Sequence, residues 1–435
     1  MASHPPKTSD ITIFRWFIYV LSACFLFSLL LILVKSKPNI LSTTKMFLTG
    51  MPFNQDSWNP MIAALKFIQQ DLGDAVYDAL FLKGVKFQYP LTSLLLFDLP
   101  ERLTGSSYHQ ITLLLTFLSR GAVFGTGLIS ARILSVICER NYFIDKRIST
   151  LYSNLLIYGL VMLLTLTCYP LLQSFLLGQV QTLLTFLVAL AILCWQFNKK
   201  VLVGVIIGFI CLIKPQLGLL LIWAMIRRQW SMVIAAGIVI LVFLAVALLL
   251  YGFNFNMEYL HVLSFLSHHG ESYYANQSVN GLMNRYMFNG SNLVWDEKFP
   301  EYSPVVYAVT LTSSIIFILF GLFWNYKERE PHIVDFCLVI LCMTMASPIA
   351  WEHHYGIILP VFVVLSPFAC KYFSDKRWLL VLLGFGYLLS SQYMEIVKGL
   401  ADTPYNFVQS YLFFGACILL FFLFSISRKL QLKPN

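Results

Sequence analysis

Four separated stretches of the sequence contain side chains that can move a proton or bind a phosphate. A carboxylate in a partly desolvated position can act as a general base, and lysine, arginine and histidine can hold a phosphate through charge and hydrogen bonds. These residue types suit one site only if the fold brings distant parts of the chain together. The stretches are "FNQDSWNP", "CLIKPQLGLL", "NQSVNGLMNR" and "ASPIAWEHHYG", which contain Asp56, Lys214, Arg285, and Glu352 with His353 and His354.

Asp56 precedes a predicted amphipathic helix that begins near Pro60 and lies along a membrane surface. The helix is indicated by apolar residues at helical spacing. Local sequence leaves two roles open for the carboxylate, and both can hold: it caps the helix N-terminus, or it acts as a general base with a raised pKa. Asp71, Asp74 and Asp78 are spaced like a solvated helical face.

Lys214 and Pro215 interrupt the apolar run 201–226 at its middle. The proline favours two short half-spans over one continuous helix. An ammonium there must reach the membrane interface or find an anion, and the start of the next half-helix adds positive potential for one. Snorkelling and phosphate binding therefore both remain open. Upstream, Gln179 and Gln181 can satisfy backbone groups where a span begins.

The second long polar loop is either an ordinary hydrated connection or part of a ligand-binding surface. Asn276 and Gln277 are candidates for substrate contacts, and Arg285 can bind a phosphate bidentately. His268 and His269 raise the possibility of a metal site. Adjacent histidines rarely face one ion, however, and the sequence has no HxH, HExxH or DxD pattern. We therefore expect no metal and no cofactor.

Two adjacent histidines and a glutamate stand at the predicted edge of an apolar span. His353 and His354 can donate hydrogen bonds to a phosphate, and Glu352 can fix their tautomer and protonation. Alternatively, the segment is an interfacial cap in which Trp351 and Tyr355 anchor the chain at the membrane surface. The sequence does not distinguish between the two histidines.

The composition is that of a polytopic membrane protein. Of the 435 residues, 58% are hydrophobic and 12% are charged, against roughly 25% charged in soluble domains. The formal net charge of +9 comes from basic residues in short clusters between apolar runs. That pattern is typical of cytoplasmic loops that face anionic lipid, and it argues against nucleic-acid binding. The nine cysteines form no CxxC or Cys/His pattern, which indicates packing roles.

Hydrophobic windows of about 20 residues predict an all-α bundle of about twelve spans, in one domain that covers residues 1–435. The span within residues 1–34 is expected to be retained rather than cleaved as a signal. The run 201–226 is counted as a hairpin, and 88–100 as an interfacial helix. The basic loops place both chain ends inside, so loops 35–88 and 253–303 fall outside, with every polar stretch described above. The uninterrupted runs lie near 14–34, 110–138, 151–169, 179–198, 230–252, 304–325, 333–350, 355–370, 378–393 and 407–427.

In their order and spacing these stretches resemble glycosyltransferase family 87, a GT-C membrane family that includes polyprenyl-phosphate-mannose-dependent mannosyltransferases. The resemblance runs from about residue 50 to about residue 370. It depends on Asp56, on Tyr77 in "DAVYDALF", and on "KFQYPLTSLLL", "LLGQVQTLL", "CLIKPQLGLLL", "NQSVNGLMNR" and "ASPIAWEHHY". Each motif is weak by itself, and the shared order makes the match specific. "QYPL" has one proline where many members have two.

The resemblance implies an inverting, metal-independent transferase that takes a hexose, with mannose as the first candidate, from a polyprenyl phosphate. Transfer would go to a lipid or glycan acceptor on the extracytoplasmic side of a bacterial inner membrane, with membrane lipids around the protein. Asp56 would be the general base, and Lys214, Arg285 and His353 or His354 would bind the lipid phosphate. The other residues expected to contact substrate are Tyr89, Gln179, Asn276, Gln277, Trp351 and Glu352.

Other functions fit part of the pattern. A polymerase or ligase with a lipid-diphosphate donor would need more outside arginines than Arg102 and Arg285. A lipid-linked sugar flippase or a proton-coupled transporter could use Asp56 and Glu352 in a proton relay, but such proteins tend to have internal repeats and acids at mid-membrane depth. The sequence shows no clear repeat and places Asp56 in a loop, which favours the transferase.

Overall fold

The computed structural model describes residues 9–33, 40–70, 75–140, 150–295 and 299–432. This part of the chain is an all-helical bundle, and its one β-type pairing is an isolated bridge between Asn276 and Trp351. The prediction of an all-α membrane protein is confirmed.

The α-helices before the second long loop include both long apolar helices and short ones that end at breaks. They are α1 (Ser9–Leu33), α2 (Ile40–Thr49), α3 (Trp58–Gln69), α4 (Val76–Leu82), α5 (Leu95–Thr104), α6 (Tyr108–Arg140), α7 (Thr150–Leu166), α8 (Tyr169–Leu176), α9 (Gln181–Gln196), α10 (Lys200–Cys211), α11 (Leu219–Ile226) and α12 (Trp230–Tyr251).

The second long loop and the C-terminal part contain the remaining α-helices. They are α13 (Phe253–His269), α14 (Val279–Tyr286), α15 (Pro304–Phe323), α16 (Ile333–Met345), α17 (Ile358–Phe373), α18 (Arg377–Ser391) and α19 (Tyr411–Gln431). Five short 3₁₀ turns in the described residues lie at Leu91–Leu94, Pro215–Gly218, Glu352–Ile357, Glu395–Leu400 and Asn406–Ser410.

The predicted apolar runs all coincide with helices. The run 201–226 is broken at Lys214 into α10 and a segment that begins at Pro215, as expected for two half-spans. Five helices of the described residues are long and apolar enough to cross a membrane, and a sixth span results if α7 and α8, bent by 58°, are one broken span. The expected total of about twelve crossings, which also counts shorter apolar helices, stays a prediction.

The segment Glu352–Phe373, which contains α17, lies at the centre of the bundle, while α12 and α15 lie at its periphery. Each of these segments has a most apolar stretch, and the share of that stretch buried inside the protein differs between them. It is 89% in Glu352–Phe373, 11% in α12 and 22% in α15. The peripheral helix α12 exposes Ile238, Leu241 and Leu249, as expected for side chains that face lipid. The cysteines are buried or half-buried within the helices or at their ends, which agrees with packing roles.

The helix predicted near Pro60 is α3, and it is amphipathic. Trp58, Met61 and Leu65 are buried, and the Trp58 ring packs edge-on against Phe97 at 6.0 Å between centroids. This packing holds α3 against α5 and so fixes the position of the preceding loop.

Asp56 does not cap α3. The N-cap position is Ser57, and no side chain there accepts a capping hydrogen bond, so the capping alternative for Asp56 is wrong. Asp78 is exposed on α4, in agreement with a solvated face, whereas Asp71 and Asp74 lie outside the described residues.

Candidate active site

The loop that carries Asp56, residues 53–57, is bound through its main chain to the end of α8. We name these residues the Asp56 loop. Its N–H groups at positions 53, 56 and 57 donate to the carbonyls of Leu176, Leu177 and Gly178 at 3.0, 2.9 and 3.3 Å. Because the bonds involve only backbone atoms, the loop is anchored independently of the Asp56 carboxylate.

Gly178 permits this close approach. Its φ of +60° lies in the left-handed region that residues with a Cβ rarely occupy. A Cβ at this position would also lie 2.5 Å from the carbonyl oxygen of Asn54 and 2.9 Å from the Cα of Gln55. Both observations require glycine at the turn between α8 and α9.

A hydrogen-bond network directs the Gln179 amide toward Asp56. The Gln179 Nε2 donates to Asp56 Oδ2 at 3.4 Å. The Ser57 hydroxyl donates to Gln179 Oε1 at 2.8 Å, accepts from the Val180 N–H at 3.0 Å, and lies 2.8 Å from the Tyr89 hydroxyl. With Oε1 held by Ser57, the amide nitrogen is left to face the carboxylate. The expected residues Tyr89 and Gln179 thus both lie beside Asp56.

The environment of Asp56 suits a general base. The side chain reaches solvent, but the protein packed on its other sides desolvates it and raises its pKa to about 6, while the hydrogen bond from Gln179 acts in the opposite direction. Desolvation disfavours the charged form. At neutral pH the group is therefore mostly ionised and more basic than an ordinary aspartate.

Lys214, at the break between α10 and α11, forms a tight cluster with Gln181 and His354. Its ammonium lies 2.6 Å from Gln181 Oε1 and 2.6 Å from His354 Nε2. An ammonium has three hydrogens to donate and cannot accept, so His354 accepts at Nε2 and carries its own proton on Nδ1. Among the described residues the ammonium has these two hydrogen-bond partners, which leaves a third hydrogen for an anion.

The chain segment that leads into α9 links the two halves of the candidate site. Asp56 contacts Gln179 and Lys214 contacts Gln181, and residues two apart in a chain have Cα atoms no more than about 7 Å apart. Next to Lys214 is a narrow cleft of about 30 Å³ between α9 and α16. Its polar lining is Gln181, Lys214, Gln216, Thr344, Ser347 and His354, and its apolar lining is Leu184, Val188, Leu217, Ile340, Met343 and Ile357.

The two histidines differ in position. His354 is half-buried and lines the cleft. His353 is buried, and its ring packs edge-on against His354 with 4.8 Å between centroids. This arrangement favours His354 as the residue that faces a ligand and His353 as the residue that supports it.

Glu352 and Trp351 do not take the positions expected from the sequence. The buried Glu352 carboxylate accepts from the Tyr169 hydroxyl at 3.0 Å, so it does not fix the tautomer of the histidines; the bond to Lys214 sets that of His354. Trp351 pairs with Asn276 through the backbone, and its half-buried ring lies 6.4 Å from that of Tyr273. The Glu352 side chain is therefore directed into the fold, and substrate contact by Trp351 stays a prediction.

Arg285 is a structural clamp. It is fully buried, and its Nη1 donates to the carbonyls of Ser272, Tyr273 and Asn276 at 3.3, 3.1 and 3.0 Å. Its Nη2 donates to the Ser410 hydroxyl at 2.6 Å. The predicted role in phosphate binding is not supported, because the guanidinium is committed to the fold of the second loop.

The two loop amides are also committed to the fold. Asn276 donates to the carbonyl of Glu271 at 2.9 Å and accepts from the Ala350 N–H at 3.0 Å. Gln277 donates to two carbonyls at 2.7 Å, one of them that of Gln409. Buried amides saturated in this way join the second loop to the chain before Trp351, and the predicted substrate contacts are not supported.

Sequence reasoning missed three contributors to the site. The sequence contains no separate signal for Ser57, because it stands next to a carboxylate that draws attention first. Gln181 was expected only to satisfy backbone groups at a helix end. Tyr169 lies in the apolar run "CYPLL" without any polar neighbour that would signal a role. Among the described residues no group of three His, Cys, Asp or Glu side chains could hold a metal ion, and metal independence stays a prediction.

The site can now be compared with known proteins. A sequence profile of glycosyltransferase family 87 matches residues 87–348, more than half of the chain. A search among curated proteins returns no match. The matched part contains Tyr89, Gln179 and Lys214, while Asp56 and His354 lie outside it. With this match and an all-helical membrane fold, the chain belongs to glycosyltransferase family 87, a family of the GT-C type.

Proposed function

We propose that this glycosyltransferase moves a hexose, with mannose as the first candidate, from a polyprenyl phosphate to a hydroxyl of a lipid or glycan acceptor. The reaction takes place on the extracytoplasmic side of a bacterial inner membrane. The proposal is supported by two contacts at nearby positions of the chain, that of Asp56 with Gln179 and that of the Lys214–His354 pair with Gln181 at the start of α9. Sugar transfer from a phosphate needs a base for the acceptor and hydrogen-bond donors for the phosphate that leaves.

The roles follow from the chemistry of each group. Asp56 takes the proton of the acceptor hydroxyl as its oxygen forms a bond to the anomeric carbon. The bond between that carbon and the phosphate oxygen breaks, and its electron pair leaves with the phosphate. Lys214 stabilises the added negative charge, which electrostatic donors in a partly desolvated site do effectively, and His354 holds the ammonium in place through Nε2. A single displacement of this kind inverts the anomeric centre.

Reconstitution tests the proposal. The purified protein in lipid nanodiscs is incubated with polyprenyl phosphates that carry different hexoses and with a bacterial lipid extract, and products are identified by mass spectrometry and NMR. We expect one hexose to be transferred with inversion, and EDTA to leave the rate unchanged. Retention of configuration would refute a single displacement.

Two variants isolate the base. Asp56→Asn should abolish transfer while the protein keeps its melting temperature, whereas Asp78→Asn, a matched change on the exposed face of α4, should leave the rate unchanged. Near-normal turnover of Asp56→Asn would remove the assigned base. Movement of the donor across a proteoliposome bilayer without any transfer would instead support a flippase.

The acceptor is best found in cells. Mass spectrometry of lipids and glycans from cells that lack this protein should show one missing hexose-bearing product and accumulation of its precursor. An unchanged lipid and glycan profile would contradict an extracytoplasmic transfer.

A further inference from the structure

Helix α8 contacts both halves of the proposed site. Its C-terminal carbonyls bind the Asp56 loop, and its first residue, Tyr169, donates to Glu352 at 3.0 Å. Glu352 begins the 3₁₀ turn Glu352–Ile357 that carries His354, and α8 packs along this turn. With eight residues α8 is about 12 Å long, so one short helix connects the Asp56 loop to the turn that carries His354.

The Glu352 carboxylate depends on Tyr169 for its position. It is 4% exposed. Its Oε1 accepts from Tyr169, and its Oε2 has no hydrogen-bond partner among the described residues. The ammonium of Lys398, which lies over the Tyr274 ring at 4.6 Å from the centroid, interacts with Glu352 electrostatically. A buried carboxylate with neither oxygen hydrogen-bonded destabilises the folded protein. Without the Tyr169 hydroxyl, the Glu352 side chain is therefore expected to change its position.

The backbone around the turn has its own anchors. The Glu352 N–H donates to the Ala275 carbonyl at 2.8 Å, and the Tyr355 hydroxyl donates to the Gln277 carbonyl at 2.5 Å. Loss of the Tyr169 hydroxyl is therefore expected to preserve the fold and to shift the position of the turn Glu352–Ile357 slightly. The bonds at the other end of α8 hold the Asp56 loop where it is.

We propose that Tyr169 is a positioning residue for sugar transfer, which acts through Glu352 to hold His354 at the correct distance from Asp56. The inference depends on the proposed function, because it assigns Lys214, which His354 holds in place, to the leaving phosphate. Charge on that phosphate grows as its bond to the sugar breaks, so a displaced His354 weakens the transition state more than the bound donor. Such a change lowers kcat more than it raises KM.

Kinetics of Tyr169→Phe test the role. We expect kcat to fall by about 10- to 100-fold, the range that a displacement of about 1 Å can cause, with an unchanged donor KM, melting temperature and acidic limb of the pH profile. The matched control is Tyr393→Phe: its ring packs on Tyr169 at 4.9 Å between centroids, and its hydroxyl has no role in the scheme. Wild-type kcat in Tyr169→Phe, or an equal loss in both variants, would overturn the proposal.

Coupling between the two residues gives a second readout. Glu352→Gln can still accept a hydrogen bond from Tyr169 and should keep most of the activity, whereas Glu352→Ala should lose as much as Tyr169→Phe. The double variant Tyr169→Phe with Glu352→Ala should be no slower than either single variant. Additive losses would show that Tyr169 does not act through Glu352.

A measurement without donor separates this proposal from the assigned reaction. In ¹⁵N-histidine NMR spectra the His354 Nε2 signal, assigned with His354→Gln, reports its hydrogen bond to Lys214. It should shift in Tyr169→Phe and stay unchanged in Tyr393→Phe. An unshifted signal in Tyr169→Phe overturns the positioning role whatever the substrate. Failure of the assigned reaction would appear instead as a wild-type protein that transfers nothing from any polyprenyl phosphate.

Discussion

The rate of transfer should fall below pH 6 because protonated Asp56 cannot accept the acceptor proton. The pKa of Asp56 is raised to about 6 by burial, whereas an ordinary aspartate titrates near 4. The reactive form is the carboxylate, so kcat/KM follows the deprotonated fraction, which is about nine tenths at pH 7 and about one tenth at pH 5. An ordinary aspartate would lose only about a tenth of its rate over the same interval.

Substitution of Gln179 should change the pKa of Asp56 in a direction that can be stated in advance. Its Nε2 bonds the charged form of Asp56 at 3.4 Å, so Gln179→Leu removes a stabilising interaction from the carboxylate and raises its pKa. A hydrogen bond to a charged group contributes about 1.5 to 3 kcal/mol, and one pKa unit corresponds to about 1.4 kcal/mol. Because this bond is long, we expect at most the lower end, a shift of the acidic limb by no more than about one unit toward higher pH.

The assay is the initial rate at subsaturating donor from about pH 4.5 to 8, since kcat/KM reports the ionisation of the free enzyme. Aliquots returned to pH 7 must regain full activity, which excludes acid unfolding as the cause of the limb. Gln69→Leu, on the exposed end of α3, is the control and should leave the profile unchanged. A midpoint near 4, or an unshifted limb in Gln179→Leu, would refute Asp56 as the base.

Three further predictions concern the residues around this site. Lys214→Ala should raise the donor KM by about 10- to 100-fold, because a charge-assisted hydrogen bond is lost, while the exposed Lys376→Ala should not change it; equal KM values would argue against a phosphate ligand. Gly178→Ala should lower both melting temperature and turnover, since its Cβ would lie 2.5 Å from the Asn54 carbonyl, and wild-type stability would contradict this packing. Arg285→Met should destabilise the fold by at least about 3 kcal/mol by leaving buried acceptors without donors, seen as a lower melting temperature; a stable variant with weakened donor binding would restore Arg285 to the phosphate site.

Much of the architecture could be predicted because membrane helices correspond to long apolar runs in the sequence. The windows that ended near 138, 252 and 325 match α6, α12 and α15, and Pro215 marked the break beside Lys214 because proline cannot continue the hydrogen-bond pattern of a helix. Lys214 and the histidine pair were recognisable because an ionisable group in an apolar setting needs a reason to be there, whereas Asp56 was singled out by its position before a predicted amphipathic helix.

The roles of buried polar residues could not be predicted in the same way. Arg285, Asn276 and Gln277 have the functional groups of a ligand site, and only three-dimensional contacts show that backbone carbonyls use them. Tyr169 is the opposite case. It stands among apolar residues in the sequence, yet its hydroxyl donates to Glu352, 183 residues away. Sequence reports the chemistry that a side chain can offer, whereas long-range packing decides which group accepts it.

Because the Asp56 loop is attached through its main chain, its side chains can vary without a change in the backbone that holds it. Phe53, Asn54 and Gln55 contribute backbone atoms to the framework, while their side chains are exposed. Substitutions at these three positions are therefore expected to alter the surface around the proposed acceptor site without displacing the Asp56 carboxylate. An engineer who wishes to change acceptor preference can begin there, with Gly178 left untouched.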